Sequence, residues 1–134
     1  MRVLVFEYLT GGGCGESAML AKLAAEGDVM LLAVVRDLLE VEGVEVLVLR
    51  DRRLPWPRQD VEIHWVDDDW QSAWAWALGC CDAVLPIAPE TDGILERLCA
   101  GVEARGRYLL NSSAAAVGLA ADKQATLDRL AQSG

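Results

Sequence analysis

The sequence holds a single histidine, His64, no C-x-x-C pair among its four cysteines, and 12 basic residues against 21 acidic ones. The first two shortages leave neither a zinc-ligand set nor a disulfide framework in Cys14, Cys80, Cys81 and Cys99. Reduced thiols, as in a cytoplasm, are the expected state. The third gives a net charge of −9, which on average repels a nucleic-acid backbone or an anionic membrane, so neither is an expected partner. Long apolar runs are missing too: the stretch from Val29 to Val35 is far short of the roughly 20 residues that cross a bilayer. "GGGC" before Cys14 has the shape of a lipoprotein cleavage box, but its apolar lead, Val3 to Phe6, is too short and is followed by Glu7, so a leader is rejected. There is no repeat and no low-complexity tract. What the sequence has in quantity is hydrophobic residues, 53% of 134, enough for one domain that buries roughly two thirds of its extended-chain surface.

Short apolar or β-branched runs alternate with helical patterns. Val3–Phe6, Val44–Leu49, Val61–Val66, Ala83–Ile87 and Tyr108–Leu110 read as strands, and their nearly unbroken apolar character suits a sheet covered on both faces. Between the first two, Leu31, Val34, Val35 and Leu38 share a helix face, while Gly27 followed by Asp28 is expected to end one helix and cap the next. Asp69–Leu78 and Glu90–Ala104 are the next helices. The order β-α-β-β-α-β-α-β implies an α/β three-layer sandwich around a mostly parallel five-stranded sheet, Rossmann-like in type. Beyond it, "NSSAAAVGLAADKQATLDRL" offers two further helix starts, at Asn111 or Ser112 and at Asp122. The end at Gly134, just past a helix, reads as a domain boundary with a further part missing.

Ligands of such sheets sit at the carboxyl ends of the strands, which directs attention to "EYLTGGG", "APETDG" and "NSS". In the first, the glycines serve either a tight turn or the close approach of a ligand. Gly13 to Ala18 match the G-x-G-x-x-A dinucleotide fingerprint, but the first glycine lies seven residues beyond Phe6 and the next strand-end acid, Asp51, is too distant. In the second, Glu90, Thr91 and Asp92 are ordinary first-turn residues of a helix; the functional reading is a carboxylate, Glu90 or Asp92, facing the ammonium group of a small amine or amino acid. Glu7 could do the same. The plain readings elsewhere are a packing face for Trp70 and Trp74, a structural His64, a cap in Asp67–Asp69 with an oxygen-ligated metal as the minor alternative, a solvated turn in "RDRRLP" and a solvated Lys123. A receiver domain would want an acidic pair after the first strand and a lysine after the fifth, and neither is present. A self-contained flavodoxin-like or nucleotide-binding regulatory module stays open, since "LTGGGCGES" does not exclude a phosphate loop.

"VLVFEYLTGGG", "AAEGDVML", "LRDRRLP", "LPIAPETDGILERLC" and "LLNSSAAAVGLAADKQATLDRL", in this order, resemble the amino-terminal part of ATP-grasp ligases, in particular the group that includes tyramine–glutamate ligase. The likeness covers nearly the whole chain. It implies a pre-ATP-grasp α/β domain over residues 1–111 and, over 112–134, connecting helices leading to an absent ATP-grasp domain that would clamp Mg-ATP. It also implies a truncated piece of an amide-forming carboxylate–amine ligase that works through an acyl phosphate. ATP and Mg2+ would serve the complete enzyme, and neither is expected to bind tightly to this piece, which should not turn over alone. Carried onto this sequence, the resemblance assigns ATP contact to Lys123. It assigns the acceptor pocket to Glu7, Thr10, Gly11, Gly12 and Gly13, with Glu90, Thr91, Asp92, Asn111 and Ser112 beside them, and no catalytic or metal-binding residue to this chain. The expected partners are a small amine or amino acid and the remaining domains, and the apolar surface those domains would cover favours self-association into a homo-oligomer.

Overall fold

The computed structural model describes residues 1–56, 58, 60–89 and 91–110. Five strands, β1 (Arg2–Glu7), β2 (Glu45–Asp51), β3 (Glu62–Val66), β4 (Ala83–Ile87) and β5 (Tyr108–Leu109), form one all-parallel sheet in the order β3-β2-β1-β4-β5. Three helices join them: α1 (Ser17–Leu39), α2 (Trp70–Cys80) and α3 (Ile94–Ala104). The expected α/β fold class is the observed one.

The alternation of β1 side chains builds the layers. Val3 and Val5 meet Leu31 and Val35 of α1 on one face, together with Val46 and Val48 of β2. Leu4 and Phe6 meet Ala73, Trp74, Ala77 and Leu78 of α2 and Leu98 and Val102 of α3 on the other. Both faces are dry, which is why the strands carry so few polar residues. Trp70 and Trp74 do pack, with ring centroids 5.7 and 5.1 Å from that of Phe6, whereas Trp76 turns outward to stack on His64 at 4.4 Å. Among the described residues no helix is long and apolar enough to cross a membrane.

The expected mostly parallel sheet is parallel at every one of its strand pairs. Three expectations need correction. Gly27 ends nothing: α1 runs unbroken from Ser17 to Leu39, and a Cβ at Gly27 would overlap Oε1 of Glu7, so the glycine is there to let a buried carboxylate lie against the helix. Asp28 accordingly caps no helix and pairs instead with Arg50, at 2.5 Å. The third helix begins at Ile94 rather than 90, since Asp92 and Gly93 hold φ of 59° and 68°, a left-handed conformation that no helical turn continues. "RDRRLP" is a solvated turn only from Arg52 onward: Arg52, Arg53 and Pro55 are exposed, whereas Arg50 and Asp51 are each 1% exposed. The Arg50 guanidinium is held by both Asp28 carboxylate oxygens and by the Pro55 carbonyl, and it lies over the Trp56 ring.

Candidate functional site

Strand order reverses at β1, between β2 on one side and β4 on the other, and the carboxyl ends of these strands form the crevice where such sheets take their ligands. β1 delivers Glu7 to that edge, buried at 1% exposure. Its two carboxylate oxygens accept from the backbone N–H groups of Leu9 (3.0 Å) and Thr10 (2.9 Å), and the Gly13 N–H closes a wide turn over Leu9–Gly13 onto the Tyr8 carbonyl. The turn is thus folded around a carboxylate of its own chain. The glycines follow from what surrounds it. A Cβ at Gly11 would meet the Phe6 ring at 2.5 Å and the Leu49 carbonyl at 3.2 Å, and one at Gly13 would overlap Tyr8. Gly12 has φ of 109° and lies against Val66 and Trp70, which any side chain would strain and crowd. The Thr10 hydroxyl is buried with no partner among the described residues.

A second carboxylate fixes the exit from the turn. Asp51, at the end of β2, accepts from Arg53 Nε at 3.0 Å and Nη2 at 2.7 Å, and from the Arg53 backbone N–H at 2.9 Å. The same guanidinium donates to the Cys14 carbonyl (2.6 Å), the Gly15 carbonyl (3.4 Å) and Ser17 Oγ (3.0 Å). All five of its N–H groups are therefore used within the protein. Burial by itself would raise the Asp51 carboxyl, but the Arg53 hydrogen bonds and charge outweigh it and hold that carboxyl below its ordinary range.

Two hollows flank the turn. The smaller, about 220 Å³, lies over the β1 and β4 ends and is walled by Glu7, Gly27, Met30, Ile87 and Pro89 with Glu26 among its lining. The larger, about 880 Å³, lies over the β2 and β3 ends and is lined by Gly12, Ser17, Asp51, Arg52, Arg53 and Asp68, among others. Asp67, also in its lining, pairs with Arg52 at 2.5 Å, and Asp69 is the cap of α2, accepting from the Ser72 N–H at 3.1 Å.

Of the residues singled out in the sequence, Glu7 and Thr10–Gly13 come together at this edge. Pro89 joins Glu7 at the smaller hollow, whereas Thr91 and Asp92 are exposed and line neither hollow. Glu90, Asn111, Ser112 and Lys123 lie outside the described residues. Asp51, Arg53 and Asp68 were missed as site residues. The strand-end rule that marked the loops after Phe6 and Ile87 applies equally after Leu49 and Val66, and would have found them.

This geometry answers whether the glycine turn is a phosphate loop. The amides of Leu9 and Thr10 that would meet a phosphate are already bonded to Glu7, and Arg53 has no donor to spare. Among the described residues no three His, Cys, Asp or Glu side chains are placed to hold a metal ion. The Leu9 and Thr10 amides and the Arg53 guanidinium are thus not available to a triphosphate.

The family model described as the pre ATP-grasp 3 domain matches residues 44–117, from the start of β2 to beyond β5. The chain belongs to the pre-ATP-grasp 3 domain family. Its fold also resembles the crystal structure of a protein from Archaeoglobus fulgidus assigned to the ATP-grasp superfamily, with a TM-score of 0.67 and 21% identity over 92% of this chain. This pre-ATP-grasp chain spans 37% of that protein, little more than a third of its length. No curated protein matches it.

Proposed function

We propose that this domain is the amino-terminal, substrate-side part of an ATP-dependent carboxylate–amine ligase, and that its glycine turn forms a wall of the acceptor pocket. The observation that carries the reading is the pre-ATP-grasp match over residues 44–117, which hold β2 to β5. The reading is supported by carboxylates at the strand ends, by a turn closed around its own anion and, among the described residues lining the larger hollow, by arginines that each hold a carboxylate. In this reading ATP and Mg2+ bind in other domains of the enzyme, with Lys123 as this chain's contribution. A carboxylate oxygen attacks the γ-phosphorus and ADP leaves; the amine nitrogen then attacks the acyl carbon, and phosphate departs with that oxygen while the amine loses a proton. What residues 1–110 supply is position: Glu7 fixes the turn, Arg53 and Asp51 fix its exit, and the hollows beside it orient the acceptor. The tyramine–glutamate ligase-like group is the subgroup we favour, on the "EYLTGGG" and "APETDGIL" stretches. The test is nucleotide turnover by the natural protein that carries this domain, given Mg-ATP and a panel of amino acids and amines. ADP and phosphate release that needs both a carboxylate and an amine supports the reading; release of AMP and pyrophosphate, or no dependence on an amine, contradicts it.

A further inference from the structure

The two faces of the sheet are covered unequally. Five strands about 4.8 Å apart make a sheet about 19 Å wide between its outer strands, and a packed helix is about 10 Å across, so each face takes two helices. The face of Leu4 and Phe6 has them, α2 and α3. The opposite face has α1 alone among the described residues, packed over Val3 and Val5 of β1 and Val46 and Val48 of β2. On that face β4 and β5 present Leu85, Ile87 and Tyr108: Leu85 pairs in register with Val5, and Tyr108 with Ala83, both of which belong to the α1 side of the core. Leu110, one position past β5, has the same orientation as Tyr108 by strand alternation. Leu85 and Ile87 are half-buried, while Tyr108 and Leu110 are 70% and 42% exposed. The near flank of α1 is apolar as well, with Met30 across the smaller hollow from Ile87 and Val34 one turn further on. The result is an apolar shelf one helix wide.

The chain continues from the rim of this shelf. Leu110 is the last described residue, its N–H bonded to the Val84 carbonyl at 2.9 Å, and residues 111–134 follow it. From Ala114 to Ala121 the sequence reads AAAVGLAA, without one polar side chain, a run that water disfavours. The pre-ATP-grasp 3 match also runs past β5, to residue 117. Ala114 lies within about 14 Å of Leu110 at full extension, enough to cross β4 to the flank of α1, about 10 Å away, but not to reach the exposed Trp65 on the opposite edge strand, about 19 Å away. We propose that Ala114–Ala121 dock on Leu85, Ile87, Tyr108 and Leu110 beside α1, in the place of the second helix that this face lacks. The need for that cover is independent of the ligase reading, since it follows from apolar area alone. The core of the domain then extends past the boundary expected at residue 111, to Ala121.

The test is a set of nuclear Overhauser contacts in the methyl-labelled 134-residue chain. The methyl groups of Val117 and Leu119 should contact those of Leu85 and Ile87 and the ring of Tyr108. Val117→Ala should speed exchange of the Leu110 amide about tenfold, as for the loss of two buried methyl groups from its cover. The methyl shifts of Val84 and Leu98, on the far face, should stay as they were, which separates undocking from unfolding. Val117→Asp should remove the contacts altogether. Contacts from Val117 and Leu119 to Trp65, Trp76 or the α2 and α3 side, contacts that arise only between differently labelled copies, no contact with residues 1–110, or unchanged Leu110 exchange in Val117→Ala would each overturn the assignment. Ligase activity found or missing in the natural protein alters none of these outcomes.

Discussion

Glu7 and Asp51 end neighbouring parallel strands and are each 1% exposed, yet they are held by different kinds of partner. Glu7 is satisfied by two neutral backbone amides two and three residues ahead of it, so its hold on the glycine turn is local. Asp51 is satisfied by a guanidinium that also reaches Cys14, Gly15 and Ser17, 36 to 39 residues away, so its hold is a staple between distant segments. A buried carboxylate needs either donors or an opposite charge, and this edge of the sheet uses one solution on each side of the same turn. The side built from backbone amides leaves a small, mainly apolar hollow; the side built from ion pairs leaves a large, charged one.

The comparison can be broken hardest at the turn itself. Gly12→Val places a β-branched side chain at φ of 109° against Val66 and Trp70, and should cost about 3 kcal/mol or more in denaturant unfolding while raising the acceptor's KM in the natural protein. An unchanged midpoint would show that the turn is looser than its contacts imply. Next comes Gly27→Ala, a change that in an exposed helix would stabilise by roughly 0.5–1 kcal/mol. Here the added methyl displaces the Glu7 carboxylate from the Thr10 N–H, and a loss of about 1–3 kcal/mol is expected. The Asp51 side sharpens the contrast through pH. The Asp51 carboxyl titrates below its unfolded value of about 3.9, so its contribution to stability is complete above that value and disappears as pH falls through the folded one. Asp51→Asn should lower the melting temperature at pH 7 and flatten its decline below about pH 4; parallel curves for mutant and parent would deny the ion pair its role. The smallest effect is a third case, in which burial prevails: Cys81, pushed up to about 12 chiefly by burial, should alkylate far more slowly at pH 8 than its neighbour Cys80, which is half-buried, and equal rates would contradict its enclosure.

The same contrast separates what could be read in the sequence from what could not. The strands were legible because two-sided burial writes itself as unbroken Val and Leu, and α1 because Leu31 and Val35 recur on one face. Trp70 and Trp74 were legible as packing for the same reason. The glycine turn was legible as a turn at the end of β1, because its bonds, those to Glu7 included, are local. Gly27 misled: a glycine inside a helix looks the same whether it ends the helix or admits a neighbour, and the neighbour is a carboxylate 20 positions back. "RDRRLP" misled at Arg50 and Asp51, which are buried. Four charged residues in a row read as solvated unless their partners are known, and those partners, Asp28 for Arg50 and the Cys14–Ser17 loop for Arg53, lie far away in the chain.

The central claim, a substrate-side domain of a ligase that works through an acyl phosphate, is tested most directly by isotope transfer. A carboxylate substrate labelled with ¹⁸O is given to the natural protein carrying this domain, with Mg-ATP and the amine, and the released phosphate is analysed. The account predicts one labelled oxygen in each phosphate formed; label retained in the carboxylate and amide alone, or delivered to AMP, would contradict it.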